Sequence, residues 1–182
     1  MSGHVIEAPP KSRAEIRRLA ELTRTLAEKL LKVTAPYFPI DYVLEPLLLS
    51  LDPDFCLEIL EEQEMGDNHG LTIPSQHVIK LRQDVYNGAC DGKGRDRLTM
   101  AHELGHYVLH DDLTFPRKTN PSEIPAYRNS EWQANCFAGE LLVSARYAKN
   151  CSSAIEVTDR FGVSYECGSY QFNALKKEGL IR

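Results

Sequence analysis

The string His-Glu-Leu-Gly-His at residues 102–106 constrains this chain more than any other feature. It lies within residues 99–110, which contain no proline and a single glycine, and this composition predicts a helix. Residues four apart lie on one face of a helix, about 6 Å apart along its axis, so His102 and His106 can bind one metal ion. Glu103 comes beside the metal face, where it can take a proton from water. The motif therefore predicts a hydrolytic metal site with Glu103 as the catalytic base.

A third ligand must come from elsewhere, because a hydrolytic zinc site needs three protein ligands and an open position for water. The extended pattern H-E-x-x-H-x-x-G-x-x-H does not apply, since Leu109 and Asp112 stand where its glycine and third histidine belong. The next predicted helix starts near residue 130 and offers Glu131 as the ligand. Asn135 lies one turn further on the same face, where it can accept the other ring N–H of a ligand histidine.

Other side chains near the motif are open alternatives. Glu123 and Glu140 compete with Glu131, but Glu123 lies in a proline-rich loop and Glu140 comes about 180° further around the helix. Peptide hydrolysis also needs a hydrogen-bond donor for the developing oxyanion. Tyr107, Tyr127 and His110 can each donate, and the sequence does not choose among them.

The composition excludes several classes of protein. A net charge of -5 argues against nucleic acid as a direct ligand. The longest nearly apolar stretch, residues 43–51, contains a glutamate and a proline and is far shorter than the ~20 residues that cross a bilayer. The first residues lack the basic start and apolar run of a secretory signal, so we expect a cytoplasmic protein without a membrane span. The five cysteines form no C-x-x-C pair, which favours reduced thiols.

Hydrophobic periodicity predicts an α+β fold, mostly helical with a small three-stranded sheet. A capping box at Ser12 and Glu15 starts the first helix, whose basic residues, such as Arg24, are expected on a solvated face. A second helical piece at 41–50 contains Pro46, which should kink it or move its start. Strands are expected near 55–59, 71–73 and 77–81, in an antiparallel sheet because their links are short.

The domain organisation predicted from the sequence is simple. Residues 1–11 are expected to be a flexible N-terminus, and 12–182 to be a single metallopeptidase domain. Within that domain, residues 152–179 look like a helix-turn-helix. The last helix offers few groups that read bases, so packing against the catalytic core is the better interpretation of this subregion.

The runs at residues 97–110 and 131–143 together resemble the ImmA/IrrE family of zinc metallopeptidases. The resemblance covers residues 14–164 and implies a thermolysin-like minimal core. It implies zinc bound by His102, His106 and Glu131, with manganese as the alternative, and Glu103 as the catalytic base. Two departures, Gln133 where relatives often carry an acidic residue and Val143-Ser144 in place of Met-Pro, leave the ligand set intact.

The same resemblance implies a biological role. Members of the family cleave a helix-turn-helix repressor and so derepress stress, prophage or mobile-element genes. This chain is therefore expected to be a zinc endopeptidase with such a bacterial repressor as its substrate. A non-proteolytic antirepressor, which binds and sequesters its partner, is the alternative that needs the same fold.

Overall fold

The computed structural model describes residues 6–110 and 124–181. The α-helices are, in chain order, α1 (Arg13–Leu31), α2 (Ile40–Tyr42), α3 (Leu48–Leu51), α4 (Glu62–Met65), α5 (Gln83–Cys90), α6 (Gly94–Leu109), α7 (Ser130–Leu142), α8 (Ala145–Ala148), α9 (Ala154–Phe161) and α10 (Tyr165–Lys177). The strands are β1 (Cys56–Leu60), β2 (Gly70–Ile73) and β3 (Val78–Arg82). The predicted α+β class, mostly helical with a small three-stranded sheet, is confirmed. None of the helices in the two described ranges is both long and apolar enough to cross a membrane.

The sheet differs from the prediction in the direction of one strand. β3 lies in the centre, pairs antiparallel with β2 and pairs parallel with β1, with Cys56 opposite Val78. The expectation of an antiparallel sheet was right for β2 and β3, and wrong for β1. The physical reason is that β2 and β3 form a hairpin through a 3₁₀ turn at Pro74–Gln76, and β3 inserts between β1 and β2. Residues 61–77 thus form a crossover, which brings the chain back in the direction of β1.

The beginning of α1 follows the sequence prediction. The Ser12 side chain accepts the Glu15 backbone N–H, and the Glu15 carboxylate accepts the Ser12 backbone N–H at 2.7 Å. The helical piece that follows it is interrupted as Pro46 requires. A π-helical turn at Val43–Leu47 joins α2 to α3 and contains Pro46, which has no backbone N–H to donate.

The expectation of a solvated basic face on α1 was right for Arg18 and Lys29, which are exposed, and wrong for three arginines. Arg24 is 0% exposed and donates to backbone carbonyl oxygens of Ala35, Pro36, Leu141 and Leu142. Arg13 and Arg17 bind the buried Glu140 of α7. These three arginines face α7. Glu140 and the carbonyl groups at the C-terminal end of α7 provide partners for their guanidinium groups.

The helix-turn-helix-like subregion packs against the α6 side of the core. Gly162 joins α9 to α10 in a left-handed conformation, with φ 60°. A Cβ atom at Gly94, the first residue of α6, would lie 2.3 Å from the Val163 carbonyl carbon. The buried Arg97 of α6 donates to the Phe161 carbonyl oxygen at 2.8 Å. The turn between α9 and α10 is therefore packed against α6.

The remaining domain predictions concern the N-terminal residues 1–11 and the assignment of one domain to 12–182. Residues 1–5 of the expected flexible N-terminus lie outside the described residues, as do Asp112 and Glu123. Residues 6–11 lie beside residues 127–130 and hydrogen-bond to them. The assignment of 12–182 as one domain stays a prediction.

Candidate metal centre

Helix α6 brings the two histidines of the His-Glu-x-x-His motif together. The Nε2 atoms of His102 and His106 lie 3.0 Å apart, and His102 is buried. Gly105 lies between them at the contact with α7, where an added Cβ atom would be 3.1 Å from the Ala134 carbonyl oxygen. A larger residue would force the helices apart, so the glycine of the motif sets how closely α7 approaches the histidines.

Helix α7 supplies the carboxylate. Its N-terminus is capped by Asn129, whose side chain accepts the Trp132 backbone N–H at 3.0 Å, and Glu131 follows in the first turn. The Glu131 carboxylate oxygens lie 3.3 Å from His102 Nε2 and 3.2 Å from His106 Nε2. Glu140, the alternative ligand on α7, instead forms ion pairs with Arg13 and Arg17.

The donor set fits a divalent metal ion. The ligand atoms of His102, His106 and Glu131 all lie within 4.8 Å of one another. Two ligands at about 2.1 Å from a tetrahedral ion are about 3.4 Å apart, close to the separations found here. Burial raises the pKa of Glu131, but the hydrogen bonds with the two histidines lower it by more. The net pKa therefore lies well below its ordinary value. The carboxylate is therefore ionised, as a metal ligand must be.

Asn135 lies behind His102. Its Oδ1 atom is 3.1 Å from His102 Nδ1, the ring nitrogen that faces away from Glu131. If the Nδ1–H group donates to this oxygen, the Nε2 lone pair is directed at the ligand cluster. The sequence predicted this placement from the helical spacing of Glu131 and Asn135.

His110 lies behind His106 in the same way. Its Nδ1 atom is 3.0 Å from His106 Nδ1, and its Nε2 atom is 3.1 Å from Gln133 Oε1. Burial, with His106 close by, lowers the pKa of His110 to about 4, so the ring is neutral. Both ring nitrogens thus contact other side chains, and His110 is on the far side of His106 from Glu131. This geometry favours an orienting role over the oxyanion donor that the sequence left open.

The two tyrosines considered as oxyanion donors have different surroundings. The Tyr107 hydroxyl hydrogen-bonds the Asp52 carboxylate and lies 3.2 Å from His77 Nδ1. Tyr127 is 51% exposed in the 3₁₀ turn Ala126–Arg128 that precedes α7. Either assignment as oxyanion donor stays a prediction.

The Glu103 side chain extends from α6 to the edge strand β2. The Thr72 hydroxyl lies 2.6 Å from Glu103 Oε2, and Glu103 is only 5% exposed. A Cβ atom on Gly70 would be 2.6 Å from the Glu103 carboxylate, so only glycine leaves room for it. Burial raises the pKa of Glu103, against the opposing effects of His102 and Thr72. A raised pKa makes the carboxylate a better proton acceptor near neutral pH.

The sequence reasoning missed Thr72, Gly70 and Gln133. Thr72 and Gly70 lie on a short strand without a motif, and their contact with Glu103 exists only because β2 lies at the edge next to α6. Gln133 stood out only as a departure from relatives. Its position two residues after a proposed ligand was the available signal, since neighbours of ligands often orient them.

The fold and the site define a class of small α+β proteins in which a His-Glu-x-x-His helix and a glutamate of α7 form a cluster that could hold a metal ion. The family model of the IrrE N-terminal-like domain, peptidase family M78, matches residues 60–172. The chain belongs to this family, as the sequence resemblance implied. The family is metallopeptidase-like, and the His102, His106 and Glu131 cluster agrees with metal dependence.

Comparison with other known proteins adds little about function. A solved structure of a Mycobacterium tuberculosis transcriptional regulator is similar, with a TM-score of 0.48 and 16% sequence identity over 87% of this chain. The similarity covers 50% of that regulator, so the chain spans about half its length. No curated protein matches the chain.

Proposed function

We propose that this protein is a zinc-dependent endopeptidase that cleaves a helix-turn-helix repressor. The observation that carries the proposal is the convergence of His102, His106 and Glu131, with the buried Glu103 beside them. Two imidazoles and a carboxylate form a donor set that suits zinc in hydrolytic sites. Membership of a peptidase family supports the same reaction class.

The reaction follows from the positions of the side chains. When bound, zinc supplies Lewis-acid chemistry, because it polarises the scissile carbonyl and lowers the pKa of the attacking water. Glu103 accepts the proton from that water and passes it to the leaving amine. Thr72 holds the Glu103 carboxylate in place through its hydroxyl. Asn135 and His110 orient the two ligand histidines from behind.

The proposed substrate rests on the family resemblance. ImmA/IrrE-type peptidases act on helix-turn-helix repressors, and the acidic charge of this chain makes a protein partner more suitable than nucleic acid. The repressor-like protein encoded nearest to this gene is the first candidate. Cleavage of one bond would inactivate it and derepress its target genes.

The test is the intact mass of that repressor after incubation with zinc-loaded protein. Wild type is compared with Glu103→Gln, which keeps the size of the side chain but cannot accept the proton. Glu166→Gln is a matched control, because it makes the same chemical change at an exposed position of α10. We expect two fragments with wild type and Glu166→Gln, and none with Glu103→Gln.

Other results would contradict the proposal. An intact repressor that co-purifies with both wild type and Glu103→Gln would indicate a sequestering antirepressor instead. Equal cleavage by Glu103→Gln would rule out Glu103 as the base. An intact repressor that binds neither form would exclude it as the substrate.

A further inference from the structure

An extended segment at the N-terminus, residues 6–11, lies along the turn that leads into α7, and we name it the strap. Backbone hydrogen bonds join Ala8 N to the Arg128 oxygen at 2.7 Å and Lys11 N to the Tyr127 oxygen at 2.9 Å. Glu7 forms an antiparallel bridge with Asn129. The strap thus contacts the residues immediately before Glu131.

The strap also contacts Gln133. The Gln133 side-chain nitrogen donates to the Pro9 carbonyl oxygen at 2.9 Å and to the Tyr127 carbonyl oxygen at 2.8 Å. Gln133 is 0% exposed, so its amide has no solvent to replace these partners. Because carbonyl oxygens only accept hydrogen bonds, the NH₂ group must point at them. The Gln133 Oε1 atom therefore points at His110.

This amide orientation determines the protonation of His110, which in turn contacts His106. Gln133 Oε1 is an acceptor, so the His110 Nε2 atom, 3.1 Å away, must carry the proton. His110 Nδ1 lies 3.0 Å from His106 Nδ1, and when His106 binds the metal through Nε2 its Nδ1 carries the hydrogen that His110 Nδ1 accepts. His106 is left with its Nε2 lone pair directed toward Glu131.

We propose that the strap, Gln133 and His110 form a positioning relay that fixes the orientation and tautomer of His106 as a metal ligand. The inference rests on the proposed function, because it assigns His106 to the metal. The relay reaches the centre from a segment far away in the sequence, whereas the partner of His102, Asn135, lies on α7 itself. The strap thereby couples the N-terminus of the chain to metal binding.

The experiment measures zinc affinity by competition with a chromogenic chelator, and the tautomer of His110 by ¹⁵N NMR of the ring nitrogens. Gln133→Leu removes the acceptor for His110, and we expect zinc affinity to fall about 10–100-fold. In Gln133→Glu either carboxylate oxygen can accept from His110 without being oriented by the strap, so affinity should return toward wild type. His110 should be the Nε2–H tautomer in wild type, with and without zinc.

The strap is tested in the full chain by Ala8→Pro. Proline has no N–H to donate to the Arg128 oxygen, and its ring would collide with that oxygen. We expect zinc affinity to fall, as in Gln133→Leu, while the far-UV circular dichroism spectrum stays unchanged. Pro10→Ala is the matched control, since Pro10 is exposed in the same segment and makes no such bond. It should bind zinc as wild type does.

The outcomes separate this inference from the proposed function. If wild type binds no zinc, the proposed function fails, while the His110 tautomer still tests the relay. If wild type binds one zinc and a folded Gln133→Leu binds it equally tightly, the relay is wrong and the metal site stands. A His110 ring protonated on Nδ1 in wild type would also overturn the relay, whether or not the variants fold.

Discussion

Two glutamates of α7 differ in burial and in their partners: the Glu140 side chain is fully buried, whereas that of Glu131 is 20% exposed. Glu140 is 1% exposed and binds Arg13 at 2.8 Å and Arg17 at 2.7 Å. Glu131 is bound at 3.2–3.3 Å by His102 and His106. One carboxylate is thus neutralised by permanent cations from α1, while the other faces imidazoles from α6.

The difference separates a structural ion pair from the proposed metal centre on the same helix. A buried carboxylate is unstable without a compensating charge. Arginine provides that charge at any physiological pH, so the Glu140 cluster is complete in itself. Imidazole provides it only when protonated, and a neutral imidazole can share a cation with the carboxylate instead. The chemistry of the partners therefore favours Glu131 over Glu140 as the proposed metal ligand.

The largest expected effect is that of Glu131→Ala, which should remove most of the bound zinc and all zinc-dependent activity. The variant retains two of the three ligands, too few for a stable hydrolytic site. Metal content after gel filtration, measured by mass spectrometry of the element, checks the prediction. Glu166→Ala is the control and should keep one equivalent. A full equivalent of bound zinc in Glu131→Ala would return the ligand role to Glu123 or Asp112. Glu131 and Glu140 would then not differ in metal binding.

The next effect is that of Glu103→Gln on the chemical step. Positioned general bases contribute about 10²–10⁴-fold to a rate, and we expect a loss of kcat in this range. Zinc content should stay at the wild-type level, because Glu103 is a proton acceptor and not a ligand in the proposed site. Single-turnover cleavage of the repressor and a parallel zinc assay measure the two quantities. A variant that loses zinc as well would place Glu103 among the ligands.

Glu140→Ala should have the opposite pattern, with a loss of stability and no loss of metal. Removing one partner of a buried ion pair costs about 3–5 kcal/mol, and we expect about 3 kcal/mol because Glu178 still binds Arg13 and Arg17. Urea unfolding of the zinc-free protein gives the free energy of unfolding. A zinc affinity as low as that of Glu131→Ala would show that the two carboxylates are not independent.

The same contrast explains what the sequence could predict. The two halves of the candidate site were predictable, because helical spacing places His102 and His106 on one face of α6, and Glu131 and Asn135 on one face of α7. A local rule was enough in each case. The pairing of Arg13 and Arg17 with Glu140 was not predictable, because the partners are more than a hundred residues apart and no spacing rule links them. Charged residues on an amphipathic helix are usually solvated, so local reasoning gave the wrong environment.

The sheet had the same limitation. The alternation of apolar residues predicted the three strands, but the direction of β1 depends on β3 inserting between β1 and β2. Thr72 then reaches Glu103 only because β2 lies at the edge of that sheet. Elements followed from local pattern, while the contacts between distant elements required the complete fold.

The smallest expected effect is that of Asn135→Ala, which removes the hydrogen bond behind one of the two proposed ligand histidines. Loss of a hydrogen-bond partner of a ligand histidine typically lowers metal affinity about 10–100-fold, and His102 loses its partner at 3.1 Å. Asn135→Asp keeps an acceptor for His102 Nδ1 and should restore the affinity. Chelator competition on both variants measures the effect. If Asn135→Ala binds zinc as wild type does, Asn135 only packs against His102, and the hydrogen bond behind a ligand does not contribute to metal binding at this site.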